Sequence, residues 1–181
     1  MKKAITIIIC LIIIVTILRV YNEGIAGGGR WWVTARFQPT DNKIESIRVN
    51  KIDPSWKKAT VLSHEILPEE AKSDPASLEG PGKDFRIEGD FNEDGEKDIA
   101  LVGVYRDKGG ELGGFILILT QVSSGRLQKA FLLKYPGYNG FHKLWYDGKE
   151  LILWRCMLCD GSVTILWTKD GYEIEQLEQM M

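Results

Sequence analysis

Apolar residues fill the chain from Ala4 to Leu18, interrupted only by Thr6 and Thr16, and Arg19 ends the run. They thin out over the middle and return from Phe85 onward as short runs broken by Gly- and Asp-rich turns. This second pattern predicts strands at residues 85–89, 99–105, 114–121, 127–133, 141–146, 151–157, 163–168 and 172–177. Turn chemistry falls between them at Asp107-Lys108-Gly109-Gly110, Ser123-Ser124-Gly125, Tyr135-Pro136-Gly137, Asp147-Gly148, Asp160-Gly161 and Asp170-Gly171. Spacing this close predicts antiparallel hairpins rather than β-α-β units. Upstream, residues 31–37 and 44–49 read as two more strands. Asp53-Pro54 suits a helix start, so one short helix is expected near 53–65, with Trp56, Ala59, Val61 and Leu62 turned inward. Thr60-Val61-Leu62 would equally suit a strand. Residues 68–83, rich in Pro, Glu, Ser, Asp and Gly, read as a loop.

The N-terminal run sets the expected location. Lys2 and Lys3 precede it, and the Gly-rich residues 23–30 follow as a linker. Its length lies between a signal-peptide core and a typical spanning helix. Residues 1–22 are therefore expected to be an uncleaved single-pass anchor, or a signal segment cut near Gly24-Ile25-Ala26. Either way, residues 31–181 form one β-rich domain outside the cytoplasm, because the lysines stay inside. The net charge is −2, with acids and bases spread along the chain and no Lys/Arg run beyond the N-terminus. Nucleic-acid binding, which needs concentrated positive charge, is not expected.

The stretch with the clearest chemistry is Gly89-Asp90-Phe91-Asn92-Glu93-Asp94-Gly95-Glu96-Lys97-Asp98. Asp90, Asn92, Asp94 and Asp98 place side-chain oxygens at loop positions 1, 3, 5 and 9. Gly95 sits at position 6, where a sharp turn is needed, and the Glu96 carbonyl falls at position 7. A hard cation such as Ca²⁺ takes such oxygens. The bidentate Glu that an EF-hand has at position 12 is replaced by Leu101, and a β-branched apolar run follows, so the loop is expected to enter a strand. Together with the run from Ile99 to Gly103, this stretch resembles the metal loop of FG-GAP, or integrin-type, β-propeller repeats of exported bacterial proteins. The resemblance covers about residues 85–104. It implies Ca²⁺ held by the side chains of Asp90, Asn92, Asp94 and Asp98 and by the Glu96 carbonyl. The chain is too short for a full propeller of such blades. A degenerate second copy is expected near 141–178, where Asp147-Gly148-Lys149-Glu150 echoes Asp94-Gly95-Glu96-Lys97-Asp98, with Lys143-Leu144-Trp145 in place of Asp90-Phe91-Asn92. The expected fold is thus mainly β, in propeller-blade-like antiparallel units.

Cys156 and Cys159 form C-x-x-C, and in an exported domain the expected state is a local disulfide. Free thiols, a redox pair or a metal site are the alternatives. G-x-S-x-G, H-E-x-x-H, Walker A and G-x-G-x-x-G are all absent from the sequence. His64 beside Glu65 reads as a surface pair, and His142 as a packed or rim residue. The aromatic set Trp145, Tyr146, Trp154, Trp167 and Tyr172 is expected to be mostly core, with any exposed members offering a face to carbohydrate or protein. The expected function is a non-catalytic module, tethered or exported, for binding or scaffolding. The alternatives are an envelope or polysaccharide hydrolase, and a subunit completing a partner's propeller.

Overall fold

The computed structural model describes residues 31–72, 83–122, 125–155 and 162–176. The expected anchor and linker, the cleavage site and the Cys156–Cys159 pair lie outside the described residues. Among the described residues, no helix is long and apolar enough to cross a membrane. The architecture is mainly β with antiparallel sheets, and these close neither a barrel nor a propeller.

The first described element is a single helical turn, α1 (Trp31–Thr34), where a strand was expected. The reason lies in two adjacent tryptophans. A strand would send neighbours to opposite faces, whereas this turn buries both. Trp31 meets the Phe141 ring edge-on at 4.9 Å and Trp32 at 5.8 Å. The single strand expected at 44–49 is also corrected. Strands β1 (Lys43–Ile44) and β2 (Ile47–Arg48) make a minimal hairpin, with Glu45 and Ser46 both at positive φ. A helical turn, α2 (Val49–Ile52), follows at once. Ile44, Val49 and Ile52 are the residues this segment buries.

The helix expected near 53–65 is largely absent. Asp53 ends α2, and its carboxylate takes the Ser55 amide at 2.8 Å and the Ser55 hydroxyl at 2.6 Å. Strand β3 (Trp56–Val61) comes next. Trp56 and Ala59 are three apart yet share a buried face because the register slips between Trp56 and Lys58, leaving Lys57 as a bulge. That bulge imitates helical spacing in the sequence. A 3₁₀ turn at His64–Ile66 and a short helix α3 (Glu69–Lys72), which buries Ala71, complete the segment. The latter lies inside the stretch read as loop.

The strands of the second half follow the expected pattern. They are β4 (Lys83–Asp84), β5 (Arg86–Gly89), β6 (Asp98–Asp107), β7 (Leu112–Gln121), β8 (Leu127–Pro136), β9 (Lys143–Tyr146), β10 (Leu151–Trp154), β11 (Ser162–Thr168) and β12 (Gly171–Gln176). Two antiparallel meanders result, β5-β6-β7-β8 and β9-β10-β11-β12. Strand β4 adds to the second sheet beside β9. In the first sheet, β6 shares its outer edge between two strands: β5 pairs with its start and β3 with its end.

The first sheet is buried on both faces, which is why β6 and β7 read as continuous apolar runs. Ala100, Val102, Val104, Ile116 and Ile118 join one cluster with Leu144, Leu151, Leu153, Val163 and Ile165 of the second sheet. Ile99, Leu101, Leu117 and Leu119 join the other with Ile44, Val49, Ile52 and Trp56. Each fully buried Leu, Ile or Phe contributes about 1.5–3 kcal/mol. The β1–β2 hairpin and α2 thus cover the outer face of the first sheet.

Candidate metal centre

The loop at residues 90–97 connects Gly89 to Asp98, which are themselves paired across β5 and β6. Its fold is dictated by its own polar side chains. The two carboxylate oxygens of Asp90 accept the amides of Asp94 at 3.0 Å and Gly95 at 2.9 Å. The Asn92 side-chain oxygen accepts the Asp94 amide at 3.1 Å, and its amino group donates to Asp94 at 2.9 Å. Asp94 in turn accepts the Glu96 amide at 2.8 Å. Glu93 and Gly95 both take positive φ, at 56° and 83°. Gly95 does so without steric cost, as the sequence pattern requires.

Asp98 is set apart from the others. It is fully buried at the start of β6, with 0% of its surface exposed. One carboxylate oxygen accepts the Phe91 amide at 3.0 Å and the Tyr172 hydroxyl at 3.3 Å. The other oxygen, Oδ1, is buried without a partner. Tyr172 belongs to the second sheet, so this hydrogen bond joins the base of the loop to β12. Burial pushes the Tyr172 hydroxyl well above its ordinary pKa, and the charge of Asp98, its hydrogen bond, and the charges of Asp94 and Asp90 add to the effect. Tyr146 is raised too, first by burial and then by Asp90, Asp147, Glu93 and Asp98. The Asp147 turn, whose carboxylate accepts the Lys149 and Glu150 amides at 2.9 Å, therefore flanks the same ring as the loop.

The structure brings the five sequence-predicted residues Asp90, Asn92, Asp94, Glu96 and Asp98 into one loop, but it does not gather them into a ready cage. Among the described residues, no three His, Cys, Asp or Glu side chains come together as a metal-binding group. Asp90 and Asp94 face the loop's own amides. Each of their oxygens has two lone pairs, so one amide bond leaves capacity for a cation. The donor set is all oxygen, which is the chemistry of Ca²⁺ or Mg²⁺ rather than of a softer metal. Sequence reasoning missed Tyr172 as the partner of Asp98. The only local signal was an aromatic residue at a D-G turn, and the contact spans 74 positions.

No family model, no curated protein and no solved structure matches this chain.

Proposed function

We propose that the chain is a non-catalytic module, tethered or exported through its N-terminal segment, in which Ca²⁺ held by residues 90–98 stabilises a domain used for binding or scaffolding outside the cytoplasm. The observation that carries the calcium reading is the Oδ1 atom of Asp98. A buried carboxylate oxygen without a partner costs several kcal/mol, and proteins retain such groups when a charge compensates them. The loop above it supplies oxygens from Asp90, Asn92 and Asp94, and the Glu96 carbonyl completes the set. Ca²⁺ accepts six to eight oxygens in a loose geometry, so it suits a loop that also satisfies its own amides better than Mg²⁺ does. Bound there, it would supply the positive charge that lets three carboxylates approach one another.

Two further observations support the reading as FG-GAP-like. The meanders β5–β8 and β9–β12 each have the up-and-down order of a propeller blade, and the D-G turns at Gly95 and Gly148 occupy the same place in each, before the second strand. The second sheet ends at β12 among the described strands, with Trp167 and Ile174 about two-fifths exposed. This favours one further reading, in which a protein partner, or a carbohydrate laid on the aromatic ring, meets that edge.

The test uses the full chain and two substitutions. Calcium should raise the melting temperature of the parent and of Asp147→Ala, and leave Asp94→Ala nearly unchanged. At one hundred times its dissociation constant, a ligand that binds only the folded state contributes about 2.7 kcal/mol. Equal responses from all three proteins, or none from the parent, would refute the calcium assignment.

A further inference from the structure

The chain's bases are dispersed in sequence, but the fold collects four of them. Lys43 and Arg48 come from the β1–β2 hairpin, Lys57 from the bulge of β3, and Lys108 from the turn after β6. All four line one open depression, with Trp56 beside them. Among the described residues, none of the four makes an ion pair, and no acid lines the depression. Glu45, in the same hairpin as Lys43 and Arg48, pairs with Arg86 at 2.9 Å. Asp53 pairs with Lys134 at 2.7 Å, and Asp107 accepts the Glu111 amide at 2.8 Å.

Two details argue that this is more than a solvated basic face. Lys43 and Arg48 stand directly opposite each other in the two-residue ladder of β1 and β2. Like charges at that position oppose pairing, and this hairpin has no length to absorb the cost. Trp56 is 1% exposed, and its indole N–H has no acceptor. Buried donors of this kind are rare and call for one. Four cations without an ion pair, gathered in one depression that no acid lines, are the inverse of the acidic loop, and they ask for an acceptor carrying several negative oxygens.

We propose that the depression lined by Lys43, Arg48, Lys57, Lys108 and Trp56 binds a phosphate-bearing anion. A phosphate group offers several charged oxygens to donors arriving from three chain segments, and Arg48 can engage two of them at once. The site is independent of the calcium reading, since it shares no residue with the loop.

Isothermal titration of the full chain in neutral detergent, at low salt and without calcium, tests this with inorganic pyrophosphate and with glycerophosphoglycerol. The first is a free polyanion and the second the soluble headgroup of an acidic lipid. Pyrophosphate should bind, weaken as salt rises, and bind at least tenfold more weakly to Arg48→Gln/Lys108→Gln. The control Lys149→Gln, on the second sheet, should bind as the parent does. Arg48→Gln alone should melt at the same or a higher temperature, because it removes the facing charges. A residue that only supported the fold would shift melting downward. Binding of glycerophosphoglycerol as well, lost in the same double variant, would support the site with a lipid headgroup as source. Binding of pyrophosphate alone would support it with a soluble phosphate as source. No pyrophosphate binding by the parent, or equal losses in the double variant and the control, would overturn the proposal.

Discussion

The most informative perturbation for the fold is the titration of His142. The ring is fully buried. It lies against the backbone of Gly114, where a methyl group would collide with it, and edge-on to Tyr138 at 5.0 Å. Its Nδ1 is 3.0 Å from the Gly140 carbonyl oxygen, which can only accept, so this nitrogen carries the proton and Nε2 is left bare and without a partner. Burial lowers the imidazole pKa from 6.5 to about 4; the Gly140 carbonyl opposes the shift and the Arg155 guanidinium adds to it. The other groups facing the ring are the hydroxyls of Tyr135 and Tyr138, whose pKa values burial raises. Among the described residues, no carboxylate is one of the groups that set its charge. Because the folded pKa lies below the unfolded one, the unfolded chain takes up a proton between pH 6.5 and about 4 while the folded chain does not, so stability falls as pH falls through this window. At about 1.4 kcal/mol per pKa unit the full loss is about 3 kcal/mol, most of it reached by about pH 4.5. Urea unfolding of the full chain at a series of pH values measures it. His142→Asn can still donate to Gly140 and should be less stable at neutral pH, because the smaller side chain leaves a cavity. It should also lose the pH dependence between about 6.5 and 4.5. Glu88, held down to about 2 by Lys97 and Arg86, acts in a lower window and does not confound the result. Identical slopes in parent and variant would refute the assignment.

Two other substitutions probe the packing. Gly103→Ala would drive a methyl group into the Thr60 carbonyl oxygen and the Phe115 ring, where β3 pairs with the second half of β6. Backbone cannot yield as a side chain can, so thermal unfolding should show a loss of about 1–3 kcal/mol; an unchanged melting temperature would contradict the close approach. Tyr172→Phe removes the hydroxyl that donates to Asp98 and leaves that carboxylate with one amide. Chemical unfolding without calcium should show a loss of about 1–3 kcal/mol, and a neutral result would mean the two sheets are not joined through this bond.

What the sequence could and could not disclose follows from how local each interaction is. The strands from β5 onward were readable because each reversal carries Gly, Pro or Asp, and because β6 and β7 carry unbroken apolar runs over residues 99–105 and 112–119. The loop at 90–98 was readable for the same reason: its hydrogen bonds run between residues two to seven apart. The segment 31–72 was misread because its elements are fitted to a surface that other parts of the chain create. Trp31 and Trp32 favour a strand by composition, yet both must reach the same cluster. Trp56 and Ala59 carry helical spacing, yet a bulge places them on one face of β3. Periodicity reports a residue's own element, and in this segment the element answers to its neighbours.

The two ionic features of the domain sit at opposite ends of one strand. Asp98 opens β6 beside the acidic loop, and Lys108 follows its last residue, Asp107, beside the cationic depression. At about 3.3 Å per residue, ten residues separate the two by about 30 Å. Charges at that distance are screened from one another at physiological salt, where the Debye length is about 8 Å. The near-neutral net charge therefore conceals two local concentrations of charge, and sequence alone could not show the cationic one, because its bases reach that end of β6 from β1, β2 and β3. Strand β6 is buried along eight consecutive residues and fixed by β7 on one side and by β5 and β3 on the other. A cation at one end and a phosphate at the other would thus each bind to the same rigid strand without feeling the other's charge. The outcome of either binding experiment then bears on its own site alone.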